Sequence, residues 1–208
     1  MPCGDRSANA PLEDLAMTEP TVDTLTLGLI QFVLLPMWVI CGSLDYVCHR
    51  LTRIEETSGF RESVHHAVMG FQVGIPLWMG IFFEINVLVL LVSFVCFVTH
   101  EWTAHKDMVL ADEIREVTIW EQHLHSYLAT IPFYLLTLIA CRNWDQFIRT
   151  ITFQWSGELQ LTWRPEPLGT ATYVWWYATL MLVVAVIPYT EELIRCWKFR
   201  NRCAPPKT

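Results

Sequence analysis

Long apolar runs constrain the fold of this chain more than any other feature of its sequence. A helix rises about 1.5 Å per residue and the hydrocarbon core of a bilayer is about 30 Å thick, so a membrane span needs about 20 mostly apolar residues. The chain is 53% hydrophobic and only 17% charged, a composition typical of membrane proteins. We therefore predict an all-α integral membrane protein, a bundle of about five transmembrane helices. The predicted spans are 24–44, 67–83, 86–99, 126–141 and 171–189.

The number of spans depends on the short third run, 86–99. Residues 83–86 can turn the chain at the far surface, which makes 67–83 and 86–99 a tight hairpin and gives five spans. In the alternative interpretation, 67–99 is one bent or partly re-entrant segment, and the count is four.

The regions outside the spans predict tails and an interfacial segment. Residues 1–23 contain three prolines and several acidic residues, which cannot bury enough apolar surface to fold, so we predict a flexible acidic tail. Residues 24–197 form a single transmembrane domain, and 198–208 form a basic tail. The tryptophans among polar residues in 142–170 are typical of a segment at headgroup depth.

All seven histidines lie beside the same ends of the predicted spans, and four of them follow an acidic residue by four positions. Side chains at i and i+4 share one face of a helix. We therefore expect a cluster of imidazoles and carboxylates at one face of the bundle. The four pairs are Asp45/His49, Glu62/His66, Glu101/His105 and Glu121/His125, and the other histidines are His65, His100 and His123.

These residue types predict a metal site, and all eleven side chains are candidate ligands. Nitrogen and oxygen donors without thiolates suit iron or manganese better than a structural zinc cage, although zinc stays an alternative. Each acid either binds metal or accepts the N–H of its histidine and orients the ring. Glu191 and Glu192 either complete the metal shell or end the last helix in solvent. In the competing interpretation, each acid–histidine pair is a solvated loop pair that contributes only tenths of a kcal/mol.

Two segments carry an arrangement seen in a known family. One is Glu62-Ser63-Val64-His65-His66, which resembles the HxxHH box of integral-membrane fatty-acid hydroxylases and desaturases, with Glu62 in place of the leading histidine. The other is Asp45-Tyr46-Val47-Cys48-His49, which is similar to their HxxxH box, with Asp45 in the first position. His100 to His105 and His123-x-His125 are looser versions of the later boxes.

The resemblance implies a non-haem di-iron centre that activates O2 to hydroxylate or desaturate a lipid or other apolar substrate. It also implies an electron donor, such as ferredoxin or cytochrome with its reductase, because the sequence has no flavin, haem or iron–sulfur motif of its own. The catalytic residues beyond the metal ligands are not identified by the sequence.

The distribution of basic residues predicts the orientation. Ten of the 14 lysines and arginines border the histidine side, which favours a cytoplasmic histidine face and an outside N-terminus. The basic tail suits acidic lipid headgroups, and no nucleic-acid partner is expected.

Three other functions compete with the oxidase hypothesis. A haem-binding membrane electron carrier would use facing histidines as axial ligands. A zinc-dependent lipid hydrolase would use one metal to activate water. A non-enzymatic membrane protein would carry its histidines as pH-sensitive loop residues.

Overall fold

The computed structural model describes residues 21–203, and these form helices joined by short connections and by one longer connection, 152–170. Residues 1–20 of the predicted tail 1–23, and residues 204–208 of the predicted tail 198–208, lie outside the described residues. A short helix α5 (Trp144–Ile151) and a 3-10 turn (Ile54–Glu56) accompany five long helices. The long helices are α1 (Val22–Thr52), α2 (Gly59–Phe82), α3 (Val87–Ile114), α4 (Ile119–Arg142) and α6 (Ala171–Cys203).

Four of the long helices, α1, α3, α4 and α6, are long and apolar enough to cross a membrane. Helix α2 has 24 residues and contains 67–82 of the predicted span 67–83. It is not one of the four, because His66 borders its apolar run and Gln72 interrupts it. The all-helical architecture is therefore confirmed for the described residues, and the four candidate spans are consistent with a multi-pass membrane protein. The fifth span and the orientation of the chain stay predictions.

The helices extend beyond the predicted spans, and the extensions carry residues of the candidate site. Helix α3 continues past position 99 to Ile114, and it carries Asp107. Helix α6 continues past 189 to Cys203, so 198–203 is helical where a tail is predicted. At the N-terminus of α1, the Thr21 side chain accepts a hydrogen bond from the backbone N–H of Thr24 and caps the helix. The helix therefore begins inside the segment 1–23, where a tail is predicted.

Helices α1 and α6 each contain a π-helical segment that ends two residues before a proline. The segments are Ile30–Leu34, followed by Pro36, and Leu182–Val186, followed by Pro188. Proline lacks an N–H and clashes with the carbonyl four residues earlier, and a wider π turn accommodates both effects. Each π turn also rotates the face that the rest of its helix presents to the bundle.

The packing places apolar side chains on the outside as well as in the core. Helix α2 packs along α3 and against the C-terminal part of α6, while α1 packs against α4. In the most apolar 18-residue window of each candidate span, only 6% to 33% of residues are buried, so most of these side chains are at least partly accessible from outside the bundle, where lipid would cover them. Outward-facing examples are Phe32, Phe71, Phe94, Phe133 and Trp175.

The connection 152–170 covers the C-terminal end of α2. The backbone N–H groups of Arg164 and Leu168 donate to the carbonyls of Phe82 and Ile81, both at 2.9 Å. The Arg164 Nε donates to the carbonyl of Phe83 at 2.7 Å. These bonds satisfy carbonyls that the helix end leaves without partners, so this end of the bundle is closed by the chain itself.

Candidate metal centre

Ionisable side chains from all five long helices meet in the interior near the opposite end of the bundle. Nearly all are shielded from solvent, and Glu62, Glu121 and Glu192 are 0% exposed. The side chains come from the end of α1, the start of α2, the second half of α3, the start of α4 and the second half of α6. This alternation shows that consecutive long helices run in opposite directions. We define the buried cluster as Asp45, His49, Glu62, His66, Asp107, Glu121, His125 and Glu192.

His49 lies at the centre of the cluster and faces four carboxylates. Its Nδ1 lies 3.1 Å from Glu192 Oε2. Its Nε2 lies 3.5 Å from Asp45 Oδ2, 3.4 Å from Glu121 Oε1 and 3.7 Å from Glu62 Oε1. An imidazole has only two ring nitrogens, so His49 cannot hydrogen-bond all four carboxylates at once. The imidazole of His49 by itself therefore does not balance them.

Glu192 connects His49 to His66. The two rings are stacked with centroids 4.5 Å apart, and Glu192 Oε1 lies 2.9 Å from His66 Nδ1. On its other side, His66 Nε2 lies 3.3 Å from Asp107 Oδ2. The second oxygen of Asp107 lies 3.1 Å from Nδ1 of His65, which is partly exposed at the edge of the cluster.

The cluster contains three sets of donor atoms, each lying within 4.8 Å of one another. Metal–ligand bonds of about 2.0–2.2 Å put neighbouring ligand atoms roughly 3.0–3.5 Å apart, which is close to the contacts around His49 and His66. In the described part of the chain these sets consist of imidazole nitrogens and carboxylate oxygens. The sets are Asp45/His49/Glu121/His125, His49/His66/Glu192 and Glu62/His66/Asp107.

Two atoms of the first set are buried without a hydrogen-bond partner in the described part of the chain. They are Asp45 Oδ1 and His49 Nε2. His125 Nε2 lies 3.0 Å from Asp45 Oδ1, but without the geometry of a hydrogen bond. An unsatisfied buried polar group costs about 1–3 kcal/mol. A metal ion bound by this set would satisfy both atoms.

Arg115 is the one guanidinium that contacts the cluster within residues 21–203. Its Nη2 donates to Glu62 Oε1 at 2.6 Å, and its Nη1 donates to Glu121 Oε2 at 3.0 Å. Burial alone lowers the pKa of Arg115, but the hydrogen bonds to Glu121 and Glu62 outweigh it and raise the pKa above its ordinary value. Arg115 is therefore a permanent positive charge that holds two carboxylates in place.

The charges of the cluster do not balance without further cations. Five carboxylates against one guanidinium leave four formal negative charges, and unbalanced charge in a protein interior is costly. Two divalent ions would neutralise them. Protonation of His49, His66, His125 and the adjacent His65 would also do so.

Seven of the eleven predicted ligands reach this region, and four do not. His100 is buried but belongs to none of the three sets, and it lies about 10 Å along α3 from Asp107, since the two are seven positions apart.

His105 and His123 are exposed, and Glu101 lies beside His105 on the outer surface. Residues two positions apart do not share a helix face, so His105 turns away from the side that buries Asp107. His123 turns away from Glu121 for the same reason.

Three residues of the site are not among the eleven predicted ligands. Asp107 and Arg115 fall between the predicted spans 86–99 and 126–141, but Asp107 follows His100 by seven positions, which is a same-face spacing on a helix. Glu192 and Glu191 are adjacent in the sequence, and only the packing separates their roles. Glu192 is fully buried, whereas Glu191 is partly exposed and accepts a hydrogen bond from the Tyr46 hydroxyl.

Comparison of the chain with protein-family models gives no match, and comparisons with curated proteins and with solved structures give none either. What the chain does must therefore be inferred from the chemistry of the buried cluster.

Proposed function

We propose that the buried cluster binds two divalent metal ions, iron or manganese, and that this centre uses O2 to hydroxylate or desaturate a lipid-like substrate. The observation that supports the proposal is the convergence of five carboxylates and three imidazoles in the interior of an otherwise apolar bundle. Metal sites in helix bundles are commonly built this way, from side chains on facing helices.

The donor sets suggest which residues hold each ion. Asp45, His49, Glu121 and His125 form one set, and Glu62, His66 and Asp107 form the other. Glu192 contacts both His49 and His66, so it is the carboxylate best situated to bridge the two sets. Arg115 orients Glu62 and Glu121 through hydrogen bonds. Such outer partners fix the geometry of metal ligands.

The reaction needs an electron donor. A bound non-haem iron pair supplies the activation of O2. Hydroxylation inserts one oxygen atom into a C–H bond and releases the other as water, which consumes two electrons and two protons. Desaturation removes two hydrogen atoms from the substrate, and with the same two electrons and two protons it reduces O2 to two waters. A ferredoxin or a cytochrome with its reductase is the class of partner that would deliver the electrons.

Metal content tests the proposal directly. Protein purified in detergent after expression with iron and manganese is analysed by elemental mass spectrometry, and we expect two ions per chain. His49→Ala and Glu192→Gln should each lose at least one ion. His123→Ala is the matched control, because its ring is exposed and outside the cluster. Metal-free wild-type protein, or equal loss in the control, would contradict the proposal.

The same preparation separates the competing functions. The His49 and His66 rings are only 4.5 Å apart and nearly parallel, which leaves no room for a porphyrin between them and disfavours this pair as axial haem ligands. An optical spectrum without a Soret band would agree. Bound zinc with lipid hydrolysis in the absence of O2 would instead select the hydrolase.

A further inference from the structure

A groove of about 840 Å³ runs along the outer surface of α6, beside the turn Ile54–Glu56. Most of its lining comes from one stripe of α6 in which residues recur at intervals of three and four positions. Glu55, in the adjacent turn, also lines the groove. Its size lies within the range of about 300–1,000 Å³ that small-molecule sites occupy.

One half of the groove is apolar and the other half is basic. Val186, Ile187 and Ile194 line one half and are all substantially exposed. Arg195, Lys198 and Arg202 line the other half. The stripe from Val186 to Arg202 is about 24 Å long at about 1.5 Å per residue. Because α6 is a candidate membrane span, the apolar half would face acyl chains while the basic half lies at the end of the span.

The basic half has donors that the described residues do not use. Arg195 forms ion pairs with Glu55 and Glu191, yet its Nη2 is buried without a hydrogen-bond partner in the described part of the chain. Lys198 and Arg202 are exposed and make no ion pair within residues 21–203. Phosphate oxygens are the acceptors that such a group of Arg and Lys side chains fits.

We infer that this groove binds one anionic phospholipid, with an acyl chain along the apolar half and the phosphate at the basic half. Basic pockets beside membrane-spanning helices recognise anionic headgroups by this chemistry. The site is separate from the buried cluster, because Glu191 lines the groove while its neighbour Glu192 points into the bundle interior. The inference therefore does not depend on the proposed oxidase function.

The test compares two double variants with the same change in net charge. Lys198→Gln with Arg202→Gln removes two groove cations. Arg53→Gln with Arg200→Gln is the control, because Arg53 pairs with Glu56 and Arg200 lies over the Phe60 ring, both outside the groove. The full chain in detergent is titrated with phosphatidylglycerol, phosphatidylcholine and glycerol 3-phosphate, and native mass spectrometry counts bound lipid.

Each basic residue near an anionic headgroup contributes about 1 kcal/mol, or roughly fivefold in affinity. We therefore expect the groove variant to bind phosphatidylglycerol about thirtyfold more weakly than wild type, with less than a threefold change in the control. Equal binding of phosphatidylcholine by wild type would overturn the inference. So would an equal loss in the control, or displacement of the lipid by an equimolar amount of glycerol 3-phosphate, which would identify a site for free phosphate esters.

Discussion

The two ends of this helix bundle bury polar atoms in opposite ways. At the end covered by 152–170, Arg164 and Leu168 donate hydrogen bonds to the carbonyls that end α2, so the chain satisfies its own polar groups. At the other end, carboxylates outnumber fixed cations, and Asp45 Oδ1 and His49 Nε2 have no hydrogen-bond partner in the described residues. The first arrangement only closes a fold. The second leaves negative charge that bound metal ions or protonated histidines would balance.

The largest expected effect comes from removing the one fixed positive charge at the cluster. Arg115→Met leaves Glu62 and Glu121 buried without their guanidinium partner. Breaking a buried ion pair in this way destabilises proteins by about 3–5 kcal/mol. Denaturant unfolding of metal-stripped protein in detergent measures the change. A loss below about 1 kcal/mol would mean that the carboxylates are protonated and that the charge argument fails.

The second effect is the stability that metal supplies. When free metal is at a hundred times its Kd, binding stabilises the folded protein by about 2.7 kcal/mol. We expect a chelator to lower the stability of wild-type protein by about this amount. Chelation should lower the stability of His49→Ala by clearly less, because that variant has lost a donor shared by two of the three sets. Equal responses in both proteins would place the stabilising metal elsewhere.

A smaller effect is expected at the end of the bundle that 152–170 covers, where we predict that stability does not depend on metal. Burial lowers the pKa of Arg164, and its Nε is the side-chain donor to the carbonyl of Phe83. Arg164→Met should cost about 1–3 kcal/mol, the usual penalty for leaving a buried polar group without a partner. Metal content should stay at the wild-type value.

The control for this change is Arg149→Met, at the same end of the bundle. Arg149 is half exposed and pairs with Glu158 on the surface, so its loss should change the free energy of unfolding by less than about 1 kcal/mol. Metal loss in Arg164→Met would show that the two ends are coupled, and the contrast between them would not hold.

The smallest effects are expected for the two histidines that face outward. His105→Ala and His123→Ala should change neither metal content nor stability measurably, because exposed side chains away from special contacts usually contribute within about 0.5 kcal/mol. Elemental analysis and unfolding of both variants provide the check. Loss of metal in either variant would mean that the replaced histidine binds metal, contrary to this prediction.

The outward histidines also illustrate how far the sequence prediction reaches. The i,i+4 spacing correctly identifies side chains that share a helix face, and three of the four acid–histidine pairs lie in the buried cluster. The same spacing in Glu101/His105 brings its pair to the outer surface. Spacing along one helix cannot distinguish these cases, since it is the neighbouring helices that determine which face is buried.

The sequence alone determined the class of this protein, because long apolar runs have few stable structures other than membrane helices, and it determined which acids and histidines share a face. The tertiary structure decided the rest. It selected Asp107 and Glu192 for the interior, paired Arg115 with Glu62, which is distant in the sequence, and separated Glu192 from Glu191. These choices depend on helix length, on the rotation introduced by the π turns and on packing between helices far apart in the chain, none of which is encoded in local spacing.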